Sequence, residues 1–474
     1  MRDMPNLNPL TAVQRAVAWM RRVNASLHQL GEQQAGLRAQ LDSIAGDLSH
    51  LNALMHATSE TVDESRRGTM TAVRRLGSIR ARTRVVFLVH NATAWGSIAE
   101  LIELMQRDAE FDPVVVSIPH RYSGVGPARG EGRTHRFLQA AGVPHLRLDK
   151  DRLHEASQLL RALDPDIVVR QSQWDDDIDP AFSTDALSWA RLVLIPYETM
   201  NIIENVPVGD PPINSAVDTV MHRNAWLIFL ANESALEIAR ADSLTGGLQF
   251  RAVGHPKLDH VQATEASWPF ARTEAPARRV VWSAHHSILS GWNDFGTFPH
   301  VRQDMLGWAK ASSDSEFVFI HHPLLPGTIE RDGSPISPIE YDTWLSEWKS
   351  LPNTAVWRGN YAAVMAAADF LVTDGPSMVI EGQILSVPTI FLERADHIPF
   401  NDIGREIARG VHRVHSIEDA QNVIRDIEAR GSDPLAERQA ANVNRFFGEP
   451  GAAARILETI RSEIDADRIT TNLA

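Results

Sequence analysis

Residues 366–383 read AAADFLVTDGPSMVIEGQ, and this stretch decides the fold. The apolar run that ends at Thr373 is typical of a strand that is buried on both faces of a parallel sheet. Gly375 permits a sharp turn, and Pro376 suits the first position of a helix, where its missing N–H group costs nothing. The stretch therefore predicts a strand, a turn and a helix in direct succession, which is the repeating unit of an α/β protein.

The same alternation extends over most of the chain. Short apolar runs predict strands in two series, separated by the proline-containing segment 264–279. The strands are predicted at 85–90, 113–118, 167–170, 192–195, 226–230 and 251–253, and then at 280–284, 317–321, 370–373 and 389–392. Helices are predicted at 95–107, 133–141, 301–311, 339–350, 361–368 and 377–385. We therefore predict parallel-sheet domains at 83–264 and 277–432, joined by a hinge. C-terminal helices are predicted at 433–474 and should pack back across this hinge.

The first 82 residues follow a different pattern, in which apolar side chains recur every three and four residues. The a positions of this heptad are Leu27, Gln34, Leu41, Leu48, Met55 and Val62, and the d positions are Leu30, Leu37, Ile44, Leu51 and Thr58. Such a seam predicts a coiled coil and hence a homo-oligomer. The alternative is a single amphipathic helix that packs on its own domain.

Two basic patches flank the heptads. Arg15, Arg21 and Arg22 belong to a predicted short amphipathic helix at 10–23 that also carries Trp19, and residues 65–84 hold seven arginines without an acidic residue. A basic helix with tryptophan can lie on an anionic membrane surface. A run of charges is more often a helix face exposed to solvent, and contact with an anionic membrane surface is the alternative.

Composition excludes several classes of protein. The 60 acidic residues exceed the 46 basic ones, for a formal net charge of −14, which argues against a general nucleic-acid binder. The absence of cysteine excludes disulfides, cysteine-ligated metals and thiol catalysis. No segment has the length of apolar sequence that a membrane span needs, and residues 1–9 lack the apolar core of a signal peptide. We expect a cytoplasmic protein, peripheral to the inner membrane at most.

The predicted helix start at 376–377 is a candidate anion site. Its N–H groups and the Ser377 hydroxyl suit a phosphate, and Glu381 lies one turn further along the same face, where it could accept bonds from ribose hydroxyls. The alternative is an ordinary helix cap formed by Asp374.

Two histidine pairs follow strands of the second series, at His285-His286 and at His321-His322. Alternation along a strand predicts that one histidine of each pair points to the cleft and the other into the sheet. Histidine can bind phosphate oxygens or act as an acid or base near neutral pH. The spacing matches no common zinc motif, so we expect no metal.

The first domain offers weaker signals. His90 and Asn91 end a strand and are predicted to face the cleft, and Glu198 is the candidate general base, with an exposed loop carboxylate as the alternative. Asp210 lies in a loop rich in glycine and proline. The glycine-rich stretch 123–130 lacks the pattern of a phosphate-binding loop and is more typical of an ordinary loop.

These motifs together resemble the CDP-glycerol glycerophosphotransferase family, which includes the teichoic-acid and capsule polymerases. The points of resemblance are Val253-Gly-His-Pro-Lys-Leu-Asp259, Trp282-Ser-Ala-His-His286, His322-Pro323, Asp369-Phe-Leu-Val-Thr-Asp-Gly-Pro-Ser377 and Pro388-Thr-Ile-Phe-Leu392. They cover roughly residues 225–395. Gly375-Pro376 replaces the Tyr-Ser of the family, and its His-Gly pair in the first domain is missing near Glu198.

The resemblance implies a GT-B architecture, in which two Rossmann-like domains face a cleft, and a nucleotide-diphosphate donor held by the second domain. His322, Asp374 and Ser377 would surround the pyrophosphate and Glu381 would meet the ribose. The full predicted binding set is Ser283, His285, His322, Asp374, Gly375, Ser377, Met378 and Glu381. The predicted catalytic residues are His322, Glu198 and His286, and no cofactor or metal is expected.

The function predicted from these features is transfer of glycerol phosphate, or of a related phosphoalcohol or sugar, from a CDP- or UDP-linked donor to a glycan or lipid-linked acceptor of the cell envelope. One alternative is a nucleotide-sugar glycosyltransferase or epimerase of the same fold. A second alternative, from another class, is an inactive binding protein whose coiled coil acts as a scaffold.

Overall fold

Two sheets of parallel strands form the body of the protein. The computed structural model describes residues 9–77, 82–121, 128–204, 213–271, 278–291 and 293–473. The first sheet has the order β3-β2-β1-β4-β5-β6-β7. Its strands are β1 Thr83–Val89, β2 Phe111–Ser117, β3 Leu146–Arg147, β4 Ile167–Arg170, β5 Arg191–Leu194, β6 Leu227–Leu230 and β7 Phe250–Ala252.

The second sheet repeats this topology with the order β10-β9-β8-β11-β12-β13. Its strands are β8 Arg279–Ala284, β9 Glu316–His321, β10 Thr354–Val356, β11 Phe370–Thr373, β12 Thr389–Leu392 and β13 His412–Val414. In each sheet the strand order reverses beside the first strand, between β1 and β4 and between β8 and β11. Ligands of open α/β sheets bind at such a reversal, beyond the carboxyl ends of the strands.

Helices connect the strands and cover both faces of the sheets. Their bounds are α1 Pro9–Gly77, α2 Ala99–Arg107, α3 Glu131–Ala140, α4 Ala156–Leu163, α5 Val220–Asn224, α6 Glu233–Asp242, α7 Pro256–Ala263, α8 Phe298–Ala311, α9 Leu325–Ile329, α10 Pro338–Ser350, α11 Tyr361–Ala366, α12 Pro376–Ile384, α13 Asp402–Ala408, α14 Ile417–Arg430, α15 Ala436–Phe446 and α16 Ala452–Leu473. A 3₁₀ helix at Ala92–Ser97 precedes α2. None of the described helices combines the length and the apolar composition that a membrane crossing requires.

Helix α1 is continuous from Pro9 to Gly77 and forms a unit separate from the rest of the chain. The helix predicted at 10–23 is therefore not a separate element. The a and d side chains of the heptad are well exposed, for example Leu41 at 63% and Leu51 at 60%. The coiled coil itself stays a prediction.

The second basic patch is only partly described. The side chains of its arginines between 66 and 80 lie outside the described residues. Arg84 belongs to the first sheet and pairs with Asp112 at 2.7 Å between Nε and Oδ2, and Arg82 donates to the Asp108 carbonyl at 3.0 Å. These two arginines therefore serve the fold, whereas membrane contact stays a prediction.

The last helix, α16, packs against the first sheet although it follows the second sheet in sequence. Ala453, Ile456 and Ile460 share a buried cluster with Phe87 of β1. Arg461 on α16 pairs with Asp108 at 2.5 Å between Nη2 and Oδ2. The end of the chain therefore returns from the second sheet and contributes to the core beside the first sheet.

The two-domain α/β fold that the sequence predicts is confirmed, and every predicted strand is present. Three strands were missed, namely β3, β10 and β13, and each is a short strand at the edge of its sheet. Two or three residues are too few to show a hydrophobic period. The exact domain limits stay a prediction.

Candidate active site

The strand-order reversal of the second sheet gathers the candidate residues. His285 follows β8, His322 follows the neighbouring β9, and Asp374 follows β11 on the other side of β8. The register pairs Ser283 on β8 with Thr373 on β11, and Ser283 is buried beneath the loops that carry these residues. Residues separated by ninety positions in sequence therefore meet at one edge of the sheet.

Asp374 holds these loops together. Its carboxylate accepts hydrogen bonds from the His285 N–H at 2.6 Å, the Thr297 N–H at 2.6 Å and the Thr297 hydroxyl at 2.9 Å. The side chain is fully buried, and burial raises the pKa of Asp374 to about 6 against the effect of these bonds. Both oxygens of Asp374 thus accept hydrogen bonds from the protein, and through them Asp374 fixes the loop after β8. The predicted contact of Asp374 with a pyrophosphate stays a prediction.

The start of α12 is open. Gly375 is its N-cap residue and no side chain caps the helix, so the alternative of a cap by Asp374 is wrong. The Gly375 N–H donates to the Thr373 hydroxyl at 3.0 Å, which leaves it unavailable to a ligand. Ser377 is exposed in the first turn and Met378 is partly buried. Helix starts of this kind attract anions through their N–H groups.

Three histidines form a cluster beside this helix start. The ring centroids of His285 and His286 are 4.5 Å apart, those of His286 and His322 are 4.2 Å apart, and those of His285 and His322 are 5.4 Å apart. The prediction that strand alternation separates His285 from His286 is wrong, because β8 ends at Ala284 and the chain turns there. His321 instead lies on β9 near the ring of Phe319.

The histidines of this cluster are neutral. Burial lowers the pKa of His286 to about 4 and places those of His285 and His322 well below their ordinary value. His322 Nδ1 accepts the Leu324 N–H at 3.2 Å, so its proton resides on Nε2. The protein thus sets the tautomer of His322 and presents Nε2–H as a hydrogen-bond donor.

Glu381 forms a buried ion pair. Lys257 Nζ lies 2.7 Å from Glu381 Oε1, and the two side chains are 12% and 1% exposed. The Lys257 ammonium also lies 5.9 Å from the centre of the Tyr361 ring. Burial acts to lower the pKa of Lys257, but Glu381 and Tyr361 raise it by more, so this lysine stays charged.

Lys257 follows the first sheet, at the start of α7. The preceding Gly254 has a φ of +88°, and His255 fixes the turn, with Nε2 donating to the Pro196 carbonyl at 2.8 Å and Nδ1 accepting the Lys257 N–H at 3.2 Å. Burial raises the pKa of Glu198 and lowers that of His322, and the charge of Lys257 acts to lower both values. Lys257 therefore lies between the candidate residues of the two domains.

Glu198 is partly buried beyond β5 and accepts a hydrogen bond from Gln173 Nε2 at 3.0 Å. Burial raises its pKa, which suits a carboxyl group that exchanges protons. Near it, the Asn91 N–H donates to Gln171 Oε1 at 3.3 Å across the reversal between β1 and β4. His90 is buried, and burial lowers its pKa to about 3. Asp210 and residues 122–127 of the glycine-rich stretch lie outside the described residues.

Within the described ranges, no group of three or more histidine or acidic side chains is arranged to hold a metal ion. The site therefore consists of neutral imidazoles, an open helix start, a buried ion pair and a partly buried carboxyl group.

Sequence reasoning missed three supporting residues. In the sequence, Lys257 stands out only as part of the motif at 253–259. A lysine at the start of a helix that directly follows a strand is nevertheless a signal for a site. Thr297 and Tyr361 carry no local signal, since their roles depend on contacts with Asp374 and Glu381 that are distant in sequence.

The neutral histidines predict acid lability. Burial lowers the pKa of His90 to about 3 and that of four others, His120, His222, His255 and His286, to about 4. Because the unfolded chain binds protons below about pH 6.5 and these side chains do not, the free energy of unfolding should fall as the pH falls from about 6.5 to 4. The raised pKa values of Asp374, Glu198 and Glu100 act the other way, but these three groups are outnumbered by the five histidines. Melting temperatures at about pH 7, 6 and 5 measure the effect.

Two matched variants test whether buried histidines cause the loss of stability at acidic pH. His255→Asn removes a buried titrating group and should make the decline between pH 7 and 5 shallower, whatever its effect at pH 7. His154→Asn changes a histidine that is 75% exposed and should leave the decline unchanged. A melting temperature that is constant over this range would contradict the assignment of neutral buried histidines.

Comparison with known proteins identifies the fold. No protein-family description matches the chain, and no curated protein matches it. Among solved structures, S. aureus MnaA in a co-structure with UDP aligns with a TM-score of 0.56 and 11% identity, over 81% of this chain and 97% of that one. A UDP-N-acetylglucosamine 2-epimerase aligns with a TM-score of 0.55 and 12% identity, over 82% and 97%.

The UDP-GlcNAc 2-epimerase from Neisseria meningitidis, bound to UDP-GlcNAc, aligns with a TM-score of 0.52 and 13% identity, over 80% of this chain and 100% of that one. At such low identity the likeness shows the fold alone. The fold is of the GT-B type, with two Rossmann-like domains, as the sequence predicts. These structures are not glycerophosphotransferases, so the resemblance to that family extends to the architecture and no further.

Proposed function

We propose that the protein is an enzyme that acts on a nucleoside-diphosphate sugar. The observation that carries this proposal is the meeting of the histidine cluster with the open start of α12 at the strand-order reversal of the second sheet. Neutral hydrogen-bond donors and a helix start suit a diphosphate. The solved structures of the same fold that bind UDP or UDP-GlcNAc support a uridine nucleotide as the first candidate.

We assign two sets of hydrogen-bond donors to the diphosphate, one in the histidine cluster and one at the start of α12. His322 offers Nε2–H, since its Nδ1 is occupied by the Leu324 N–H. Ser377 offers its hydroxyl in the first turn of α12, where the helix dipole also favours negative charge. Glu381, one turn further along, is the acceptor that we assign to the ribose. Asp374 acts indirectly, because it fixes the loop after β8 that carries His285.

In both candidate reactions the bond between the sugar and the nucleoside diphosphate breaks. In transfer, an acceptor oxygen takes the place of the diphosphate and gives its proton to a base. In epimerisation by elimination, a base removes the proton from the neighbouring carbon as the diphosphate leaves, and the diphosphate then adds back while a proton returns on the other face. Negative charge then develops on the diphosphate, and donors that are already oriented stabilise it without reorganisation. Glu198, with its pKa raised by burial, is the candidate acid or base on the opposite side of the cleft, and His286 is the candidate within the histidine cluster. This set serves either epimerisation of the sugar or its transfer to an acceptor.

Epimerisation is the better supported of the two chemistries, because the aligned structures are 2-epimerases. Transfer to a glycan or lipid-linked acceptor of the cell envelope is the second candidate. CDP-glycerol as the donor is supported by the motif around Asp369 and Ser377 alone, and we therefore retain it only as one arm of the test.

The test is a ligand panel followed by product analysis. UDP, CDP, GDP and CMP are compared by thermal shift, and a ligand at 100 times its Kd should add about 2.7 kcal/mol to the free energy of unfolding. We expect UDP to give the largest shift. NMR of UDP-GlcNAc incubated with the protein then separates an isomeric nucleotide sugar, which indicates epimerisation, from UDP release that depends on an acceptor. A protein that binds no nucleotide would overturn the proposal and favour the scaffold alternative.

His322→Ala should reduce kcat by about 100-fold, since loss of one oriented donor at a developing charge typically has that effect. The affinity for UDP should fall far less, because the contact strengthens in the transition state. Steady-state kinetics and a UDP titration measure the two effects. His321→Ala is the matched control, because its ring lies near Phe319 and outside the cluster. Near-normal turnover of His322→Ala, or its failure to fold, would show that His322 is a structural residue.

We also propose that α1 joins two copies of the chain in a parallel coiled coil. The seven-residue period, rather than 3.6, is the signature of a seam between supercoiled helices. Because α1 is continuous, Val13 and Met20 extend the a positions in phase with Leu27, and all three are more than half exposed. The seam is therefore longer than the segment from which the sequence predicts it.

A second copy in register fits the polar positions of this seam. Gln34 at an a position would face Gln34 of the second copy, and each amide can both donate and accept. At the flanking positions, Gln33 would face Arg38 and Asp47 would face Asn52, so no like charges oppose each other. This arrangement supports a homo-oligomer without a further partner.

Light scattering of the full chain should therefore give a molar mass that is a multiple of 52.6 kDa. The double variant Leu41→Asp and Leu48→Asp places charges in the seam and should return the chain to the monomer. Ala53→Asp changes an exposed residue of the same helix outside the seam and is the control. A monomeric wild-type chain, or a double variant with unchanged mass, would contradict the coiled coil.

A further inference from the structure

Lys257 and Glu381 join the elements that follow the two sheets. Lys257 begins α7, directly after the last strand of the first sheet, and Glu381 lies in the middle of α12, after β11 of the second sheet. Their charged atoms are 2.7 Å apart, and Glu381 is almost completely buried. Lys257 therefore fixes one oxygen of this carboxylate in the buried site.

The second oxygen of Glu381 lacks a donor. Lys257 engages Oε1, whereas Oε2 is buried without a hydrogen-bond partner among the described residues. A carboxylate has about four acceptor positions, and a buried one that stays unfilled is unfavourable. A ligand hydroxyl that reaches Oε2 would therefore be bound strongly.

The position of Glu381 identifies the kind of ligand group. Glu381 lies four residues after Ser377, on the same face of α12 and one turn inside the open helix start. A nucleotide whose phosphates bind that start presents the hydroxyls of its ribose nearby. Tyr361, whose phenol contacts both members of the ion pair, closes the opposite side.

We propose that Lys257 is a positioning residue that holds Glu381 through Oε1 and leaves Oε2 to accept the ribose hydroxyls of the nucleotide, so that this pair selects ribonucleotides against deoxynucleotides. The proposal rests on the proposed function, because it assumes that a nucleotide binds at α12. It adds a residue from the first domain to a subsite that otherwise belongs to the second. Nucleotide selection then depends on both domains.

Lys257 could instead be a simple brace between α7 and α12. A brace would affect every nucleotide equally, since it would act only through the stability of the site. A residue that positions Glu381 affects only those nucleotides that carry ribose hydroxyls.

The test compares UDP with 2′,3′-dideoxy-UDP by calorimetric titration. The wild-type protein should bind UDP about 10- to 100-fold more tightly, as expected for hydrogen bonds to a charged group. Lys257→Met should reduce this ratio to less than about threefold, because Glu381 loses the side chain that holds Oε1 in place. Lys257→Arg should keep the ratio, because it keeps the charge.

Lys310→Met is the matched control, since Lys310 forms an ion pair with Glu347 on the surface. If Lys257→Met loses affinity equally for both nucleotides, Lys257 is only a structural brace between α7 and α12, and the proposal is overturned. A wild-type ratio near one would also overturn it, even if Lys257→Met does not fold. A wild-type protein that binds neither nucleotide would overturn the proposed function, and this proposal with it.

Discussion

The carboxylate of Asp374 is the contact on which the site depends. It is fully buried and accepts three hydrogen bonds, one from the chain after β8 and two from Thr297 before α8. These bonds join the ends of two adjacent strands at the point where the strand order reverses. Without them the loop after β8 would lose its anchor, and the positions of His285 and His286 would no longer be fixed relative to α12. Asp374 thus determines where the candidate ligand donors lie.

The fold was predictable because its strands are short apolar runs with sharp ends. β4, β11 and β12 were predicted to the residue, since each is a continuous apolar run between polar or turn residues. β3, β10 and β13 were missed because edge strands pair on one side only and need no long apolar run. The heptads of α1 were equally clear from the sequence. The sequence predicts a separate helix at 10–23, however, whereas the structure has one continuous helix.

The candidate site was predictable in its members but not in their orientation. The end of a strand tells which residues reach the ligand edge of a sheet, and this located His285, His322 and Ser377. It does not tell which way a carboxylate turns. Asp374 faces inward to backbone donors, and Glu381 faces a lysine that lies 124 positions earlier in the chain. Such contacts depend on how two domains meet, and no local pattern encodes them.

The electrostatics of the site follow from this arrangement. The chain has a formal net charge of −14, which by itself would repel a diphosphate. The three histidines of the site are neutral and Lys257 is paired with Glu381, so these groups add no uncompensated positive charge. Arg331 is a nearby cation, whose charge adds to burial in lowering the pKa of His286. The proposed attraction of a diphosphate therefore combines this charge with oriented dipoles, namely Nε2–H of His322 and the N–H groups at the start of α12. Dipoles act at short range and are screened little by salt when they are buried. The proposed selection of a diphosphate thus depends on geometry, and the contacts of Asp374 and His255 and the turn at Gly254 help to fix that geometry.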